Sequence, residues 1–182
     1  LALKKLKESD LSFFSAYLAA HPKIGKQKGI TLDKRVMEAE LYPDLKSVID
    51  GLPGQISPVA LTFLGPGKAP PYLQMRKIIE SAKNWRLNGE VVKAPSDDPT
   101  RFDNLAPGDI AVMEFSGVGA PNAMKFVLLS ATHPDDATVH AAFSAAFPSR
   151  FMSIISEEQI EDVIERGAAP QDHPIRDWLD KD

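Results

Sequence analysis

The chain contains no cysteine, which excludes disulfides, thiolate nucleophiles and cysteine-ligated metals and agrees with a reducing compartment. Long apolar runs are missing too. None approaches the roughly 18–20 residues that a membrane-spanning helix needs, and residues 1–10, LALKKLKESD, lack the apolar centre of a signal peptide. A cytoplasmic protein with no membrane partner is the expectation. Histidine is scarce: His21, His133, His140 and His173 are the full set, and none is spaced from another as a metal-ligand pair. Internal repeats and low-complexity tracts are absent. The first residue is Leu1 rather than Met, which suggests a longer parent.

What is present begins with an uneven charge. The formal net charge is −4, yet residues 1–93 hold 15 Lys and Arg against 9 Asp and Glu, and residues 94–182 hold 6 against 16. Such asymmetry places a basic face on an otherwise acidic body. By itself it serves solubility equally well.

At 182 residues the chain is expected to be one domain with a core of its own. Short apolar runs bounded by Pro, Gly or Asp recur: LSFFSAYLA (11–19), SPVALTFL (57–64), YLQMRKII (72–79), GEVVKA (89–94), GDIAVMEF (108–115) and AMKFVLLSA (123–131). Their length and Val, Ile and Phe content predict strands. Alternation of Leu73, Met75, Lys77 and Ile79, and of Ile110, Val112 and Glu114 with Ala111, Met113 and Phe115, predicts a sheet with one wet side. Three helices are predicted. Residues 33–42 stop at Pro43. Residues 134–147 place Val139, Ala142, Phe143, Ala146 and Phe147 on one apolar face, and residues 156–166 carry a capping box, Ser156 with Gln159. The expected fold is mainly β (α+β): an open barrel of about seven strands with short flanking helices.

Catalytic patterns are weak. HPDD (133–136) is explained by a helix start with acidic first-turn residues. Glu90-Val-Val-Lys93 misses the acidic-x-Lys spacing of metal-dependent nucleases by one residue, and LGPGKAPP (64–71) lacks the phosphate-loop pattern and reads as a loop. No nucleophile stands with a base, and no catalytic residue, metal or cofactor is assigned.

Two segments remain. In HPKIGKQKGIT (21–31), Lys23, Lys26 and Lys28 surround Gln27, while Gly25 and Gly29 allow close backbone approach. A solvated lysine loop explains this as well. In KNWRLNGE (83–90), Arg forks match the O6/N7 edge of guanine, Asn the N6/N7 edge of adenine, and a carboxylate the amino group of cytosine. If extended, the segment projects Arg86, Asn88 and Glu90 to one side and Trp85, Leu87 and Gly89 to the other. A β-hairpin turning at Asn88-Gly89 is the competing explanation. It leaves Lys83, Asn84, Arg86 and Glu90 unaccounted for, and on the residues alone the two readings stand level.

From about residue 24 to 166 the chain resembles the N-terminal DNA-recognising domain of EcoRII-type restriction endonucleases, a relative of the DNA-binding pseudobarrel of plant auxin-response factors. The landmarks run in order: GKQKGITL (25–32), LYP (41–43), SPVALTF (57–63), IIES (78–81) followed nine residues later by Glu90, GDIAVMEF (108–115), and LLSATHPDDATVHAAFSAAFPS (128–149). Each is weak alone; their order carries the resemblance. It implies a pseudobarrel with two arms, on 23–31 and 81–93, that embrace the major groove of a short duplex site. Lys26 and Gln27 fall on the polar pair of the first arm with Thr31 near its end, Arg86 on a basic arm position and Glu90 on the arm glutamate. The family pattern has basic residues where this chain has Asn88, Val91 and Val92, which shifts phosphate contact to residues such as Lys93, Arg76 or Lys77. The expected DNA-contacting set is therefore Lys23, Lys26, Gln27, Lys28, Thr31, Lys83, Asn84, Trp85, Arg86, Asn88, Glu90 and Lys93, with Trp85 as packing support. The implied parent is a bacterial type II endonuclease of a restriction-modification system, cutting with Mg²⁺ in a separate nuclease domain, and residues 168–182 would begin the linker to it. A CC-(A/T)-GG type site is the first guess. A protein- or peptide-interaction module on the same barrel is the alternative.

Overall fold

Val59, Leu61 and Phe63 alternate with Pro58, Ala60 and Thr62, so one face of Ile56–Leu64 (β3) is apolar and buried. That alternation seeds the fold. The computed structural model describes residues 1–24, 28–148 and 152–178, and its architecture is α+β: one eight-stranded sheet curled into a half-barrel, with few helices. The strands are Ala2–Lys5 (β1), Ile30–Leu32 (β2), β3, Tyr72–Ser81 (β4), Asn84–Asn88 (β5), Ile110–Ser116 (β6), Ala123–Leu129 (β7) and Ser153–Ile154 (β8). Their order across the sheet is β2-β5-β4-β3-β7-β6-β1-β8. All pairs are antiparallel except β3 with β7.

Eight strands stand where about seven were expected. The lysines of ALKK hide the short alternation of β1, in which Ala2 and Leu3 are buried on opposite faces. Two predicted strands are not strands. LSFFSAYLA folds as Glu8–Leu11 (α1) and Ser15–Ala20 (α2), two short helices joined at Phe13 and Phe14, with Leu11, Phe13, Phe14 and Tyr17 buried in the inner core. GEVVKA keeps only an isolated bridge, Phe14 with Val92, after Gly89 leaves the extended region at φ +138°.

The concave side of the sheet encloses one core. Phe63 meets Phe14 and Phe126 edge-on, with ring centroids 5.7 and 5.4 Å apart, and Phe102 packs 5.1 Å from Phe14, each geometry adding about 0.5–1.5 kcal/mol to plain burial. A second core lies on the outer face, where Leu3, Ile110, Val112, Val127 and Leu129 meet Ala137–Ala146 (α4) and Glu157–Arg166 (α5). The first four residues of β6 are thus buried on both faces, so the expected wet side is restricted to the β2-β5-β4-β3 half of the sheet. On that half Leu73 and Met75 are 59% and 61% exposed.

The three predicted helices are found, each shortened. Residues 33–42 contain a π-helical turn, Val36–Leu41, opened by Asp33 Oδ1, which accepts from the amides of Arg35 and Val36. Ser156 and Gln159 exchange both bonds of the capping box at 2.9 and 3.1 Å. Asp136 sits at the N-terminus of α4, its Oδ2 accepting from the amides of Gly67 and Ser130. Ala169, His173 and Ile175, in the tail read from sequence as the start of a linker, are buried in the outer core. His173 Nδ1 accepts from the Ile175 amide, which leaves Nε2–H to donate to Asp136 Oδ1 at 2.6 Å. Among the described residues no helix is long and apolar enough to cross a membrane.

Candidate nucleic-acid interface

The two polar segments singled out in the sequence are neighbours. Ile30, Thr31 and Leu32 of β2 pair with Leu87, Arg86 and Trp85 of β5, and β5 pairs in turn with β4. Directly opposed residues in an antiparallel pair share a face, so Thr31, Arg86 and Ile79 form one row, and Asn88 stands beside Lys77 in the next. Asn84, Arg86 and Asn88 are half-buried on the open face, while Trp85 and Leu87 point into the core. The alternation predicted for residues 85–90 is therefore present over 85–88.

Several expected positions differ. The β4–β5 hairpin turns at Ala82-Lys83, between the paired Ser81 and Asn84, and not at Asn88-Gly89. Residues 84–88 do not stand out as a separate arm, because β5 is an inner strand hydrogen-bonded on both sides. Glu90 does not continue the row of Arg86 and Asn88: the strand ends at Asn88, and Gly89 turns the chain. Trp85 is fully buried, which removes it from any contact set and leaves it as packing beneath β5. Its indole N–H finds no acceptor among the described residues. Lys26 and Gln27 lie outside the described residues.

Glycines set the geometry of two arginines. A β-carbon on Gly29 would stand 2.6 Å from Leu87 O and 3.1 Å from Arg86 Cγ, and one on Gly89 would stand 2.8 Å from Arg76 Cδ. Arg86 thus lies across β2, and Arg76 packs beneath the end of β5. Their roles diverge. Arg76 donates to the carbonyls of Met75 and Val91 at 2.7 and 3.1 Å; burial lowers its guanidinium from the usual arginine range, with Glu90 opposing. It is a strut, which removes it from the phosphate-contacting candidates. Arg86 forms no ion pair or hydrogen bond among the described residues, and its Nε is buried without a partner.

Lys28 and Lys77 are near Arg86 and Asn88, and neither ammonium is paired among the described residues. Lys83 and Asn84 lie at the other end of β5, about 13 Å away at 3.3 Å per residue. There they line a groove of about 400 Å³ with Asp33, Lys34 and Arg35. Lys34 is paired with Glu80 and Glu38, 3.5 and 3.8 Å away, and Lys46 with Glu80 and Asp50, 2.9 and 3.3 Å away. Arg35, exposed and unpaired among the described residues, is a cation the sequence reading missed; its place in the turn that follows β2 was the available signal. Lys23 and Lys93 are exposed on flanking loops, and the Lys93 carbonyl accepts from the Tyr72 hydroxyl at 2.8 Å. Asn88 Oδ1 accepts from the Gly89 amide, so its side-chain NH₂ is the half of the fork left to donate outward.

The arrangement presents a guanidinium, two amides and flanking ammonium groups on three strands about 10 Å across. Among the described residues, no group of three His, Asp or Glu side chains is placed to hold a metal ion. No family model, curated protein or solved structure matches this chain.

Proposed function

We propose that the chain is a sequence-specific double-stranded DNA-binding domain of the EcoRII type. In this reading it serves a type II restriction endonuclease as its recognition module, with Mg²⁺-dependent cleavage carried by a separate domain. One observation carries the proposal: segments far apart in the chain and independently marked as polar pair as neighbouring strands, Thr31 beside Arg86, around a guanidinium whose Nε has no hydrogen-bond partner among the described residues. The O6/N7 edge of guanine matches the guanidinium fork that Arg86 carries on the open face. Three strands about 10 Å across suit a major groove about 12 Å wide.

In this reading Arg86, Asn84 and Asn88 take base edges, joined by Gln27 from the resemblance. Lys23, Lys26, Lys28, Lys77, Lys83 and Arg35 take phosphates, so affinity falls with salt. Glu90, exposed past the end of β5, stands at the rim. A CC-(A/T)-GG type site is compatible with guanine- and adenine-reading groups.

A second reading, a protein-interaction module on the same scaffold, is favoured by Leu73 and Met75, exposed on the open face of β4. Gel-shift titration against a pool of random duplexes separates the two. Sequence-selective retention supports the DNA reading, and no duplex binding at low salt removes it. Incubation with plasmid and Mg²⁺ is expected to leave the DNA intact.

A further inference from the structure

Lys4, Asp10 and Ser12 are buried polar groups distant in sequence from every base- or phosphate-contacting residue. Their hydrogen bonds converge on one short segment. Lys4 Nζ donates to Thr31 O at 2.5 Å, and the Thr31 amide donates to Asp10 Oδ1 at 3.1 Å. The Lys28 amide donates to Ser12 Oγ at 3.0 Å, and that hydroxyl donates onward to Ser9 O at 2.7 Å. Asp10 is fixed in turn by the Lys4 ammonium, 2.9 Å away, and by the Lys7 amide.

The physical demand for these bonds lies in the topology. β2 is the terminal strand of the sheet, paired with β5 on one side only, so its outer amide and carbonyl need other partners. Lys4 belongs to β1, the seventh strand in the order. Its reach to Thr31 therefore closes the half-barrel with an ion pair where a backbone ladder is absent. Lys28 holds φ +49°, a conformation that a non-glycine residue adopts only when its surroundings impose it. A buried ion pair is poor evidence of net stability and better understood as a device that fixes one geometry.

We infer that Lys4, Asp10 and Ser12 are positioning residues: a clamp that sets residues 28–31 against Arg86, so that selectivity among duplexes depends on them and general phosphate affinity does not. This rests on the DNA reading above. The test compares wild type with Ser12→Ala, Ser12→Thr and Lys4→Met. It measures affinity for the selected duplex, affinity and salt slope for random duplex, the urea midpoint, and exchange of the Lys28 and Thr31 amides. The expected result is a ratio of selected to random affinity about five- to tenfold lower in Ser12→Ala and Lys4→Met, an unchanged salt slope, faster exchange of the Lys28 amide in Ser12→Ala, which removes its acceptor, and recovery in Ser12→Thr. Folded Ser12→Ala and Lys4→Met proteins with the wild-type ratio would overturn the clamp and leave the DNA reading standing. A wild type with no selectivity would overturn the DNA reading first, and the clamp's role with it.

Discussion

The stem of Arg86 passes over Gly29, with its Cγ and Cδ 3.1 and 3.2 Å from where a β-carbon on that glycine would stand. This contact joins the two polar segments, and it makes the outward course of Arg86 depend on the absence of one methyl group from the adjacent strand.

Gly29→Ala is therefore expected to disturb both stability and reading. The added carbon meets the Leu87 carbonyl at 2.6 Å, a backbone atom that moves only with β5. Overpacking of this kind costs about 1–3 kcal/mol, which urea unfolding will register as a lower midpoint. A wild-type midpoint would mean that β2 yields without strain.

Glu80 sits beside the hairpin turn and holds Lys46 at 2.9 Å and Lys34 at 3.5 Å. Glu80→Gln removes one negative charge beside the groove that Lys83 and Asn84 line, while Glu38 stays 3.8 Å from Lys34 and Asp50 3.3 Å from Lys46. Random-duplex affinity should rise, and the log–log salt slope should steepen by about one at most. Hydrogen bonding to Lys46 is the largest cause that holds the Glu80 carboxyl below its usual range. A depressed acid contributes stability above its unfolded value, 4.5, and loses it as pH falls through the lower folded value. Acid titration of wild type against Glu80→Gln should show their difference shrinking below that point.

The His173 and Asp136 pair ties the tail to α4 on the outer core, away from β2 and β5. His173→Ala removes a hydrogen bond to a fully buried carboxylate and should destabilise the fold by roughly 1.5–3 kcal/mol. At about 2–4 °C per kcal/mol for a chain of this size, the shift is readily seen by thermal unfolding. The ratio of selected to random duplex affinity should not change. A changed ratio would couple the outer core to the reading face.

Alternation made most of the sheet legible in the sequence. β3, β4, β6 and β7 stand within a few residues of where their apolar periods place them, and α5 follows from its capping box. Residues 11–19 differ from the expected strand because a short run rich in Phe satisfies both periods, and it folds as two short helices whose Leu11, Phe14 and Tyr17 are buried in the inner core. Asn88-Gly89 carries a strong hairpin signal, yet its strand is already paired on both sides and the turn falls at Ala82-Lys83. In the candidate site, the alternation of Arg86 and Asn88 and the burial of Trp85 were legible. Local spacing says nothing about a lysine near the start of the chain that closes the sheet onto Thr31, so Lys4, Asp10 and Ser12 were invisible.

The most direct test of the central claim is base-pair-resolved competition binding with wild type and Arg86→Ala, using duplexes selected by the wild-type protein from a random pool. The account predicts that wild type discriminates at every position of a short site and that Arg86→Ala loses about 1–3 kcal/mol of discrimination concentrated at one base pair. Equal retention of all duplexes by wild type, or a uniform loss across sequences in Arg86→Ala, would contradict it.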